Sequence, residues 1–185
     1  MLLRLSNRLD RLAKAWVVLA LLLGVILLSQ LAVQPFSEQL AQMSGGSGLI
    51  DLKLSYTPEA VFGLIDTYGD EGRAAYRYFT ATSDLVFPVA YGLFLSLLVS
   101  WLLKRGTRDG SRMRMLNLVP LGAWVFDWLE NGFIVTMLTS YPDRSNGIAF
   151  LAAFSTAAKW AFSAATIIVL AIAVVLALRA KRNSA

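Results

Sequence analysis

The sequence contains no cysteine and no histidine. Disulfides, thiol redox chemistry, imidazole-ligated haem and the usual zinc or copper sites are therefore excluded, and any metal would have to be a hard cation held by carboxylates. Charge is also scarce. Only 16% of the 185 residues are Asp, Glu, Lys or Arg, against 57% apolar residues and a mean hydropathy of +0.60. That balance is too hydrophobic for a soluble domain of this size and marks a membrane protein. The isoelectric point near 9.7 does not point to nucleic acid, because the basic residues gather at the ends of apolar stretches.

A membrane-crossing helix needs about 20 mostly apolar residues, and four stretches supply them: Ala15 to Val33, Leu85 to Leu103, Leu116 to Leu138 and Ile148 to Leu178. The last is longer than necessary and is expected to tilt or to extend beyond the bilayer. Basic residues precede span one (Arg4, Arg8, Arg11, Lys14), separate spans two and three (Lys104, Arg105, Arg108, Arg112, Arg114) and follow span four (Arg179, Lys181, Arg182). The other two connections are mainly acidic. The positive-inside rule then predicts both termini in the cytoplasm. Span one has the outline of a secretory signal, but the "SQLAVQPF" after it offers no small-residue cleavage site, so it reads as an uncleaved anchor. The expected architecture is an all-α integral membrane protein, one domain over 1–185, with four helices in an antiparallel bundle. A bacterial inner membrane fits the compact loops and Arg-rich flanks.

Residues 34–83 read as a long outer loop. The "SGGSG" at 44–48 is a flexible break, and "IDLKLSY" alternates Ile50, Leu52, Leu54 and Tyr56 with polar partners, as an extended segment with one buried side does. Thr57, Pro58 and Glu59 then form a helix start. The helix from Pro58 to about Tyr68 places Val61, Phe62, Leu64 and Ile65 largely on one side, which predicts a helix lying in the outer interface. A second helix near Asp70 is expected to run on into span two. Packing of the loop as a lid and binding of a partner both fit this pattern.

The stretch "VFDWLENGF" at 125–133 puts Asp127, Glu130 and Asn131 inside an apolar span. Asp127 lies eleven residues into span three, about 16 Å at 1.5 Å per residue. Lys159 lies eleven residues into span four from the opposite face, so an antiparallel neighbour brings its amine level with Asp127. Asn117, Pro120, Trp124, Asp127 and Asn131 form one helical stripe; Ser155, Thr156, Lys159, Ser163 and Thr166 form another. Asp84 and Tyr91, seven apart, share a side of span two, and Arg77 lies seven before Asp84. An ionisable group at the bilayer centre costs about 2.5 to 3.5 kcal/mol, so such groups face the interior and pair. Asp127, Glu130 and Lys159 together carry one excess negative charge. Either one carboxyl holds a proton or Arg73 or Arg77 neutralises it from above.

A buried salt bridge that fixes helix register accounts for this pattern as well as a functional site does. Redundancy favours the site, since register needs one pair and this chain supplies many more polar groups. Trp124, Trp128 and Trp160 flank the cluster, where they either stack on a ligand or pack. Pro88 and Pro120 are expected to kink spans two and three. Arg73 and Arg77 fit a phosphate clamp at the outer rim, or bonds to Asp70, Asp84 or lipid phosphates.

The four-span plan with inside termini and a first outer loop resembles the EXPERA group of sterol isomerases and sterol-binding receptors, and "TSDLVFPVAYGLF" is similar to the head of their second span. That covers about a dozen residues, and "DWLEN" has no counterpart there, so no family is assigned on it. The aspartate-rich motifs of prenyltransferases and the arginine and asparagine pattern of four-helix glutathione-linked enzymes are absent.

The resulting expectation is a polar intramembrane pocket that binds a lipid-like or isoprenoid amphiphile and processes it by acid/base chemistry. Asp127, Glu130 and Lys159 would be the catalytic group; Asp84, Tyr91, Asn131, Trp124, Arg73 and Arg77 would bind ligand. No metal, cofactor or nucleic acid is called for. The alternative is a non-catalytic accessory or assembly subunit of a larger membrane complex, with a homo-oligomer also compatible. Proton-linked transport is disfavoured because no inverted repeat is present.

Overall fold

The computed structural model describes residues 1–183, and among these the regular structure is helical throughout, with no strand. Among the described residues, three helices are long and apolar enough to cross a membrane: Ala15–Met43, Gly69–Gly106 and Asn146–Arg182. The fourth expected span corresponds to α7 (Val119–Ser140), which is not among the three. Its polar residues Asp127, Glu130 and Asn131 lower its hydropathy, and all three are buried.

Helix α1 (Leu2–Leu12) turns its Ser6, Leu9 and Asp10 side inward and leaves Arg4, Arg8 and Arg11 exposed. The chain breaks at Lys14, whose backbone is extended. Lys104 Nζ closes the helix end by donating to Asp10 O at 2.9 Å and Ala13 O at 3.4 Å, which places a cation on the carbonyls left free at a helix C-terminus. Asn117 Nδ2 completes the join, reaching Ser6 O, Asp10 Oδ1 and Ser100 Oγ.

Helix α2 (Ala15–Leu28) buries only Val18 and exposes Trp16, Leu19, Leu23 and Leu27. Such an apolar exterior is unsupportable in water and suited to hydrocarbon. The sequence reading ends this span at Val33 and starts a loop at 34, but the helix continues through a π turn at Ser29–Val33 into α3 (Gln34–Met43). Pro35 cannot donate to a carbonyl one turn back, and the widened turn accommodates it.

Helix α4 (Pro58–Thr67) starts as predicted, with Thr57 Oγ1 accepting from Ala60 N at 3.2 Å. Its apolar side does not lie in the outer interface. Val61, Phe62 and Ile65 are buried in a core with Leu40, Ile50, Tyr76, Ile134, Met137 and Ala149, so the loop caps the ends of α7 and α8 (Asn146–Asn183). The extended segment is also different from expectation. Leu49 and Ile50 are buried, whereas Leu52 and Leu54 are exposed, because a turn that closes from Lys53 N to Ile50 O carries Asp51 inward.

Helix α5 (Gly69–Ala81) is interrupted at Thr82 before α6 (Ser83–Gly106). The break separates Arg77 from the face of Asp84. Pro120 does not kink α7, because it occupies the first turn, where no intrahelical N–H is missed. Pro88 does lie inside α6. Close approach of helices relies on small residues: a Cβ on Gly106 would stand 2.6 Å from the Leu176 carbonyl carbon, and one on Gly122 would stand 2.3 Å from the Phe162 ring.

Candidate functional site: a polar cavity beneath the cap

The polar residues of α6, α7 and α8 meet where counting along the spans places them. Lys159 Nζ lies 2.6 Å from Glu130 Oε2 and 3.7 Å from Asp127 Oδ1, with all three side chains nearly or wholly buried. Glu130 takes a second contact from Thr156 Oγ1 at 2.5 Å. On the other side Tyr91 donates its hydroxyl to Asp127 Oδ2 at 2.6 Å. Each partner helix thus supplies donors to a carboxylate of α7, which offsets the cost of removing that carboxylate from water.

The cap formed by residues 44–68 reaches the same cluster. Lys159 donates to the backbone carbonyl of Asp51 at 2.9 Å, and the Asp51 carboxylate accepts from Tyr76 at 2.8 Å. The Tyr76 hydroxyl in turn accepts from Ile50 N at 3.0 Å. The Tyr56 hydroxyl lies 3.1 Å from Thr156 Oγ1, and burial pushes that phenol above its ordinary pKa, so it stays protonated. Trp160 closes the side by donating to Lys53 O at 3.0 Å.

These contacts surround a cavity of about 190 Å³ lined by Asp51, Asp84, Tyr91, Asp127, Lys159 and Ser163, with Val33, Leu52, Phe87 and Trp160 as its apolar wall. Among the described residues, no group of three or more acidic side chains is arranged to hold a metal ion. Of the residues predicted from sequence, Asp84, Tyr91, Asp127 and Lys159 come together on this wall. Glu130 stands behind them and does not line the cavity. Asn131 Nδ2 is engaged with the backbone of α6, donating to Asp84 O at 3.2 Å.

Trp124 packs against Gly92 and edge-on to Trp128, away from the cavity. The two arginines are also elsewhere. Arg73 pairs with Asp70, donates to Ile65 O and stacks 3.8 Å above the Tyr141 ring. Arg77 donates to Leu138 O at 3.3 Å. Both tie the cap to the bundle, and neither neutralises the α7 carboxylates. Asp51 is the residue that sequence reasoning missed, having counted only as one more acidic loop residue. Its one signal was a carboxylate set inside an otherwise apolar alternation, "IDLKL".

Fold and site together define a helical membrane protein with an internal polar cavity. Compared with known proteins, the chain matches no family model, no curated sequence and no solved structure.

Proposed function

We propose that the cavity binds the polar end of a lipid-like or isoprenoid amphiphile, in a protein that crosses the membrane four times with both termini in the cytoplasm, in a bacterial inner membrane. The observation that carries the reading is a cavity of about 190 Å³ beside α7 and α8 whose wall holds Asp84, Tyr91, Asp127 and Lys159. A purely structural ion pair needs no such void.

Several features support α7 as a fourth span. Its contacts to α8 pair Gly122 with Phe162, Asp127 with Lys159 and Glu130 with Thr156, so one chain descends as the other rises. Its buried side carries Asp127, Glu130 and Asn131 beside apolar residues such as Ile134 and Met137, and its exposed residues include Val125, Trp128 and Leu129. Polar groups turned inward and apolar ones outward suit a hydrocarbon surround.

Acid/base processing of the bound molecule falls to Asp127, which lines the cavity between the Tyr91 hydroxyl and the Lys159 amine. Glu130 acts one step removed, by holding Lys159 in place. The test is extraction into a mild neutral detergent followed by mass spectrometry of bound small molecules. A lipid-like species that is retained by the wild type and depleted in Asp127→Asn supports the reading. Copurification of other membrane proteins instead, unchanged by that substitution, would favour the accessory-subunit alternative.

A further inference from the structure

We infer that α1 is a helix lying in the plane of the membrane surface, and that its outward row of cations, Arg4, Arg8, Arg11 and Lys14, binds anionic phospholipid headgroups. The inference concerns the end of α6 opposite Asp84 and does not depend on what the cavity holds.

The argument starts from how α1 is held. Ser6 Oγ donates to Arg114 O at 3.3 Å, Asn117 Nδ2 donates to Ser6 O and Asp10 Oδ1, and Lys104 closes the helix from the end of α6. These bonds fix one orientation. The helix rests against α6 and the 3₁₀ turn at Arg112–Leu118, at the end of the bundle where Gly106 of α6 packs on Leu176 of α8. After the break at Lys14 the chain enters α2, whose exposed leucines suit hydrocarbon. A helix fastened at that junction lies where the hydrocarbon ends.

Its exposed surface has two sides. Leu5 and Leu12, seven residues apart, share a face beside the buried Leu9, with Leu2 one turn before Leu5, and these three are between 39% and 61% exposed although the helix is docked. Arg4, Arg8 and Arg11 follow one another at helical spacing on another side, Lys14 comes next, and all four are exposed. Among the described residues none of the four has an acidic partner. Asp10, the one acid among the first 37 residues, is turned inward to Asn117 and lies 3.7 Å from Arg114. Nothing on the outward face cancels the charge of the row. A basic row alone would suit a nucleic acid or an acidic protein equally. The leucines beside it, at the head of an apolar helix, select a membrane, because they can enter the acyl boundary while the arginines stay among the headgroups. Each such cation then adds severalfold to the affinity for an anionic leaflet.

The experiment has two readouts on the full-length protein. The chain has no cysteine, so Leu5→Cys, Asn7→Cys and Leu12→Cys can each carry a single nitroxide label. In vesicles of phosphatidylcholine mixed with phosphatidylglycerol, the labels at 5 and 12 should be relaxed more by oxygen than by a water-soluble nickel chelate, and the label at 7 more by the chelate. Equal access of the chelate to all three overturns the in-plane placement. Native mass spectrometry in neutral detergent, with phosphatidylglycerol and phosphatidylcholine as competing probes, reads the headgroup preference. The wild type should retain phosphatidylglycerol preferentially, and each arginine removed from α1 should lower that preference by about fivefold. The triple variant Arg4→Gln, Arg8→Gln, Arg11→Gln should then lose on the order of a hundredfold, whereas Arg108→Gln with Arg112→Gln on the neighbouring loop should lose less. All of these side chains are exposed, so folding is not at stake. Absence of a preference in the wild type overturns the assignment. A preference that the triple variant keeps, or that the loop pair abolishes as fully, overturns it too.

Discussion

Asn131 donates its side-chain amide to the carbonyl of Asp84, the acceptor that Pro88 leaves without a partner four residues later in α6. Proline has no N–H to return to that carbonyl, and within a membrane no water is at hand to replace it. A polar residue on α7 therefore completes the hydrogen bonding of its neighbour. Asn131 is a structural partner of Pro88 before it is anything else.

The first prediction follows from that pairing. Asn131→Leu should destabilise the protein by about 1 to 3 kcal/mol, the cost of a buried carbonyl left unsatisfied. Adding Pro88→Ala should recover part of the loss, because alanine restores the missing N–H. Thermal unfolding of both single variants and the double variant in detergent reads the coupling. Strictly additive losses would refute the pairing.

A second prediction concerns the ion pair between α7 and α8. Lys159→Met leaves the Glu130 carboxylate buried with only Thr156 beside it, and should cost about 3 to 5 kcal/mol. Adding Glu130→Gln should return much of that. If the double variant is no more stable to heat than the single, the two groups are not energetically coupled.

The cap is fastened through Tyr76, whose hydroxyl bridges Ile50 N and the Asp51 carboxylate. Tyr76→Phe should weaken the cap by about 1 to 3 kcal/mol while leaving the ion pair intact. Hydrogen exchange should rise across residues 44–57 and stay unchanged in the middle of α7. Uniform acceleration through α7 and α8 would mean that the cap and the bundle open as one unit.

The contact between α6 and α8 rests on Gly106, where an added methyl meets the backbone at Leu176 and Ala177. Backbone yields less readily than a side chain. Gly106→Ala should destabilise by about 1 to 3 kcal/mol through overpacking. Gly24→Ala, with nothing within 4 Å of its new methyl, should be neutral or slightly stabilising, since alanine is the better helix former. Equal unfolding temperatures for the two variants would contradict the packing.

Much of this was legible because membrane helices obey simple counting. Asp127 and Lys159 count equally far into their apolar stretches of sequence, and the cost of burying charge makes their meeting nearly obligatory. The Thr57 cap and the helix after it follow from local chemistry in the same way. What was not legible depends on tertiary contacts between distant parts of the chain. The alternation of Ile50, Leu52 and Leu54 suggested one buried side, but the fold rewarded a turn that brings Asp51 to Tyr76 instead. Arg73 and Arg77 looked available to the carboxylates only while α5 and α6 were one rod, and the break at Thr82 removes that geometry. Pro120 shows the same limit, since its effect depends on where α7 begins.

The hold that Lys159 keeps on the cap falls on the main-chain oxygen of Asp51. Every amino acid offers that oxygen, so a substitution at position 51 keeps this acceptor and removes only the carboxylate that Tyr76 holds. The segment is thereby anchored twice, once through main chain and once through a carboxylate, and only the second anchor depends on which residue stands at 51.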